Sequence, residues 1–264
     1  MTSIPPEVVG GERITLPGRD PAALPPLGRN APAPAGVVVA LRLGAAMARD
    51  HLLSRATALV VILALALVVA GAAIERARTT AGAVDRALDG AFGLVVPLVV
   101  LALVGRATAR GRLDEAAWPA ARFGVARRDV ALGLVVVAAV ASALVVAVLA
   151  ATTVLVAGSG GSVGVARDAL VSAWIGAVTA LAYVGWLALA STLLPRGWGR
   201  IVFIVFDLLA GGSDGVLGAV LPRGPAHALL GGAAPLGLAP GQCMAILIAS
   251  AFALSIVAAM RCRA

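Results

Sequence analysis

Long stretches without a single charge constrain this chain more than any other feature. Ala56–Ile74 and Val130–Ala157 carry no charged residue, and Gly90–Gly105, Ala169–Leu194, Ile201–Leu221 and Gln242–Met260 are nearly as apolar. A helix needs about 20 mainly apolar residues to cross the hydrocarbon of a bilayer, where its backbone groups bond only to one another. Composition agrees: 61% of residues are hydrophobic and 13% charged, against about 45–50% and about 25% in soluble domains. A membrane β-barrel would alternate polar and apolar side chains over segments of about ten residues. Val135–Val156 does not alternate. The reading is an all-α membrane protein with six transmembrane helices.

The segments between the runs define the rest of the organisation. Residues 1–35 scatter eight prolines among charges, with no apolar stretch of the kind that a secretory signal needs. They read as a disordered, Pro-rich cytoplasmic tail. From 36 to 264 the chain reads as one transmembrane domain. Within Gly36–Arg55, Val38, Leu41, Ala45 and Leu52 recur at near-helical spacing against Arg42, Arg49 and Asp50. That pattern suits an amphipathic helix lying in the membrane interface; the other reading is a cytoplasmic extension of the first span. Pro97 falls inside the second run, where a proline removes a backbone hydrogen bond and kinks the helix.

Charge sets the orientation. All 21 basic residues are arginine, which suits a GC-rich bacterial source, and the net charge is +8. On so apolar a chain this excess serves topology rather than nucleic-acid binding. With six spans, one side holds the six arginines up to Arg55, the six in the loop 106–129, and Arg196, Arg200, Arg261 and Arg263. The other side holds Arg76, Arg78, Arg86, Arg167 and Arg223. Basic residues collect in the cytoplasm, so both termini are expected inside a bacterial inner membrane. Cys243 and Cys262 lie at opposite ends of the last run, roughly 28 Å apart in a helix. They are too far apart to pair.

Enzyme constellations are missing. The two histidines, His51 and His227, fall on opposite sides in this topology, so a zinc cluster is not formed. No histidine lies in a span to activate a serine, and no phosphate-binding Gly-Lys-Ser/Thr loop occurs. Asp85, Asp89 and Gly90 carry a faint likeness to a phosphotransferase metal motif, without the further acids it needs. Two carboxylates fall inside the fifth run, Asp207 and Asp214. Charge in hydrocarbon is costly, so such groups face protein or water. Either they line a transport path, or they are satisfied structurally by a neighbouring helix or the interface. The loop 106–129 offers Trp118 and Phe123 as anchors for a soluble partner; the plainer reading is a loop whose arginines only set topology.

Together these segments resemble the permease subunits of ABC transporters of the ABC-2 (type-2 exporter) class. The likeness covers most of 36–264. It rests on the Arg42–Arg49 helix, the second span closing Val95-Val-Pro-Leu-Val-Val-Leu-Ala-Leu-Val-Gly-Arg106, and the basic stretch Ala121-Arg-Phe-Gly-Val-Ala-Arg-Arg-Asp-Val-Ala-Leu-Gly133. The segment Leu221-Pro-Arg-Gly-Pro-Ala-His-Ala-Leu-Leu-Gly-Gly232 resembles the family's outer re-entrant element. The Pro-rich tail is not a family feature, and Arg112-Leu-Asp-Glu115 matches only partly.

The resemblance implies an ATP-driven exporter subunit without a catalytic site of its own. ATP and Mg would be handled by a separate ABC-type ATPase docked on Trp118, Arg122, Phe123, Arg127 and Arg128. A second permease copy, or a related one, would complete the path as a dimer, with Asp207 and Asp214 as candidate path residues. Few polar residues lie in the spans, which favours an amphipathic or lipid-like cargo, with membrane lipids as neighbours. The alternative is a non-transporting scaffold or assembly subunit that recruits a cytoplasmic partner.

Overall fold

The computed structural model describes residues 36–78, 82–109, 111–121, 124–158 and 163–262; the Pro-rich tail, Arg122 and Phe123 lie outside them. The described elements are all helical. In chain order they are α1 (Val37–Leu52), α2 (Arg55–Arg78), α3 (Ala83–Gly90), a π-turn (Ala91–Val95) and α4 (Val96–Ala107). Then follow α5 (Leu113–Ala121), α6 (Arg127–Ala157), α7 (Val163–Ser191), α8 (Gly199–Ala210), α9 (Val216–Val220), α10 (Arg223–Leu229) and α11 (Pro240–Arg261).

Among the described residues, five helical stretches are long and apolar enough to cross a membrane: Arg55–Arg78, Ala83–Ala107, Arg127–Ala157, Gly164–Ser191 and Pro240–Arg261. The architecture is that of a multi-pass membrane protein. Outward faces are apolar, as lipid requires: Leu59, Ile62, Leu63 and Leu67 on α2 and Val136, Val140, Leu144 and Val148 on α6 are all exposed. These positions recur at helical spacing, so each span turns one greasy stripe outward and another inward.

Inside, small residues set how near the helices come. The long pair α6–α7 is the spine, with α11 against α7 and α1 against the start of α6. At the α1–α6 crossing, Gly44 faces the Val130 carbonyl and Gly133 faces the Leu41 carbonyl so closely that a methyl at either would strike backbone. Close approach through glycine is how helices associate where no hydrophobic drive exists between them.

The second span differs most from the reading of its sequence. It begins at Ala83, not Gly90, because Asp85, Arg86 and Asp89 project from the exposed side of an ordinary helical turn while Ala83, Ala87 and Leu88 are buried. Pro97 follows the π-turn, in which the Val96 N–H donates to the Ala91 carbonyl five residues back. The helix thereby absorbs the missing proline N–H and continues to Ala107.

The fifth run is not one long helix. Its first part, α8, has 12 residues, about 18 Å of the roughly 30 Å hydrocarbon. The glycines of 211–215 stop it, and α9 and α10 follow as short helices before α11. Even so, α8 joins the two ends of the bundle. At its start Arg200 bonds to Thr108 and Gly111 beyond α4; near its end the Leu208 carbonyl accepts from Arg223 of α10, and α10 contacts the π-turn.

In the loop after α4, Pro119 lies inside α5 rather than ending it. The helix stops two residues later, so the missing N–H costs a single bond. Among the described residues, 124–126 form no second helical element before α6.

Candidate functional site

The polar groups gather at the end of the bundle where α3 begins, and the centre of the cluster is Asp207. Asp207 is fully buried on α8. Its Oδ2 accepts the hydroxyl proton of Tyr183 on α7 at 2.6 Å, and its Oδ1 has no hydrogen-bond donor among the described residues. Tyr183 is also fully buried, and it is the only tyrosine in the chain. Beside this pair, Trp186 of α7 stacks on Phe203 of α8 with ring centroids 5.1 Å apart. The α7–α8 contact thus combines one aromatic stack with one buried hydrogen bond.

Arg223 closes the cluster from α10. Its Nη1 donates to the Leu208 carbonyl at 3.0 Å, where the carbonyl end of α8 carries partial negative charge. No ion pair within 4 Å forms between the Arg223 guanidinium and Asp207. Two glycines make room. A methyl on Gly211 would sit 2.9 Å from both Asp207 Oδ1 and Arg223 Cβ, and one on Gly93 in the π-turn would lie 3.1 Å from Arg223 Nη2. Glycines in the π-turn and in the break after α8 thus both leave room for Arg223.

Above Arg223 lie two small cavities. One of about 110 Å³ is lined by Asp85, Asp89, Phe92, Gly93, Arg223 and His227. The other, of about 180 Å³, is lined by Asp89, Gly211–Asp214, Arg223 and His227. His227 Nε2 lies 3.4 Å from Asp89 Oδ1. Among the described residues no three His, Cys, Asp or Glu side chains are placed to hold a metal ion. The set is instead one guanidinium among several carboxylates, suited to a small polar or zwitterionic group.

The candidate path residues separate. Asp207 is buried beneath the break, while Asp214 is exposed within it and lines only the larger cavity; its carbonyl accepts the Leu236 N–H. The docking residues divide as well. Trp118 is exposed on α5, Arg128 is exposed and pairs with Asp129 at 3.2 Å, and Arg127 opens α6. Arg122 and Phe123 fall outside the described residues.

Four residues escaped the sequence reading: Tyr183, Arg223 and His227 here, and Arg200 at the other end. The lone tyrosine within an apolar run was a usable signal, since its hydroxyl must find a partner when buried. Arg223 and His227 gave none, because only the break after α8 folds their segment back onto α3.

Fold and site together define a multi-pass helical membrane protein with a polar pocket capping one end of the bundle. No family model, no curated protein and no solved structure matches the chain.

Proposed function

We propose that the chain is the permease subunit of an ATP-driven exporter of the ABC-2 kind, residing in a bacterial inner membrane with six passes and both termini in the cytoplasm. The observation that carries the reading is the arrangement at the α5 end. There α1 packs on α6 through Gly44 and Gly133, and α5 packs on both α1 and α6. Force applied to α5 by a soluble ATPase would pass directly into α6 and so into the α6–α7 spine. Interfaces this tightly packed shift as units rather than deform.

Three further features support the same reading. The amphipathic α1 precedes the first span. The broken fifth run places α9 and α10 at the end remote from α5, as an outer re-entrant element would sit. Among the described residues, Arg42, Arg49, Arg55, Arg106, Arg112, Arg127, Arg128, Arg196, Arg200 and Arg261 cluster at the α5 end. Arg76, Arg78, Arg86, Arg167 and Arg223 lie at the other, which by the bias of basic residues makes the α5 end cytoplasmic. The cargo is amphipathic or lipid-like, because the outward faces are apolar and few charged groups lie within the spans.

Affinity purification in mild detergent tests this. An ABC-type ATPase should co-purify in stoichiometric amount, and a Gly/Ser linker in place of 121–128 should release it while the permease itself stays monodisperse. Purification without an ATPase, with some other soluble partner retained, moves the assignment to a scaffold or assembly subunit.

A further inference from the structure

Among the described residues, Arg200 is a buried cation with no counter-ion. It is 4% exposed, and its guanidinium donates to Thr108 Oγ1 and the Gly111 carbonyl, both at 2.6 Å, and to the Gly197 carbonyl at 3.3 Å. All three acceptors are neutral, and among the described residues no carboxylate lies within 4 Å of it. A buried charge is normally paired, because the desolvation cost is otherwise uncompensated. Arg200 also lines an open cavity of about 240 Å³ with Leu101, Gly105, Arg196, Trp198 and Ile201. Arg196 makes no ion pair among the described residues, and it is exposed.

The lining of the cavity mixes two arginines and an exposed Trp198 with the apolar Leu101 of α4 and Ile201 of α8. Gly105 keeps it open, since its position faces Arg200 across only van der Waals distance. The first two N–H groups of α8, those of Gly199 and Arg200, donate to no backbone carbonyl among the described residues, so the helix start adds partial positive charge beside them.

We infer that this cavity binds the headgroup phosphate of an anionic phospholipid from the leaflet at the α5 end. The phosphate supplies the counter-charge for Arg196 and Arg200, and the acyl chains run along Leu101 and Ile201. A neutral apolar occupant would leave both cations uncompensated. A free phosphate would satisfy the charge but leave the apolar lining, Leu101 and Ile201, without a partner. Trp198, exposed at the rim, is the side chain favoured where membrane meets water. The inference needs only the membrane-spanning fold, so it stands or falls separately from the transport reading.

The test is lipid titration of the delipidated full chain in detergent, followed by native mass spectrometry and thermal melting. Phosphatidylglycerol should be retained and should raise the melting temperature, while phosphatidylcholine and inorganic phosphate should do neither. Arg196→Gln should weaken phosphatidylglycerol binding about fivefold, the effect of one interfacial arginine. Gly105→Leu, which fills the cavity without removing charge, should abolish retention. Arg167→Gln, at the other end of the bundle, should leave it unchanged and so excludes a general charge effect. Equal retention of the two lipids, indifference to both cavity variants, or stabilisation by inorganic phosphate matching that by phosphatidylglycerol would overturn the inference.

Discussion

At the scale of single residues, the Tyr183–Asp207 bond decides how α7 and α8 meet. Both side chains are buried, so removing one strands the other. Tyr183→Phe leaves the carboxyl without its donor, and Asp207→Leu leaves a buried hydroxyl without its acceptor. Each should cost about 1–3 kcal/mol in reversible unfolding measured in mixed micelles. The double variant should cost less than the sum of the two, because no polar group is then left behind. Strict additivity would show that the bond contributes nothing. Cys262, just beyond α11, gives a second prediction at this scale. Burial, reinforced by Asp114, pushes its thiol up to about 11, with Arg112 and Arg127 opposing. Only the thiolate reacts, so maleimide labelling of the folded chain at pH 8 should run about a hundredfold below that of an ordinary thiol and climb as pH approaches 11. A thiol pKa raised by folding also means stability that is full below the unfolded value near 9 and is lost as pH rises towards 11. Rapid labelling at pH 8 without denaturant would refute the burial.

At the scale of elements, the α1–α6 crossing carries the clearest steric prediction. A side chain at Gly133 must displace the Leu41 carbonyl of α1, a backbone atom that cannot rotate away. Gly133→Val should therefore destabilise by about 1–3 kcal/mol and, under the proposed function, uncouple α1 from the spine and lower transport-linked ATP hydrolysis. Gly212→Ala is the matching control, since nothing lies within 4 Å of that position. Much of this level was legible in the sequence. Charge-free runs located α2, α6 and α11 to within a few residues, because hydrocarbon leaves a helix no alternative, whereas α7 starts six residues before its run, at Val163, with Arg167 and Asp168 in its first turns. A helix, α1, does run through Val38, Leu41 and Ala45, but the face it buries is Ala40, Gly44 and Ala48, with Val38 exposed. Less legible was the start of the second span, where Asp85 and Asp89 resembled a loop although a helix exposes such residues on one side without cost. The end of the 12-residue α8, by contrast, was legible, since the Gly-rich residues from Gly211 to Gly215 interrupt the apolar run Ile201–Leu221. The polar cap was the least legible part, because Asp89, Asp207, Arg223 and His227 are brought together by that break and by the π-turn, neither of which is spelled by a short motif.

At the scale of the whole molecule, the open quantity is how many times the chain crosses, and one segment decides it. Among the described residues, five helices are long enough alone. Were α8 to turn back without crossing, residues 211–238 would return to the side of Arg196, and the start of α11 would lie there too. The contacts run the other way: His227 meets Asp89 and Arg223 lies against Gly93, both at the end of the bundle opposite Thr108 and Gly111. On the six-pass reading, α8 covers only about 18 Å, and the break and the two short helices behind it would have to make up the remaining depth. Residue accessibility can decide the matter, and the buried native thiols Cys243 and Cys262 give little background. Single cysteines at Asp50, Arg128, Asp168 and Ser213, all exposed positions, are treated in intact cells with a membrane-impermeant maleimide. With six passes and an inward-facing basic end, Asp168→Cys and Ser213→Cys react at once, and Asp50→Cys and Arg128→Cys react only after permeabilisation. Reaction of Ser213→Cys together with Asp50→Cys, and not with Asp168→Cys, would leave five crossings and place Arg261 on the outer face. The cap around Asp207 would then open to the cytoplasm and the exporter reading would lose its outer gate.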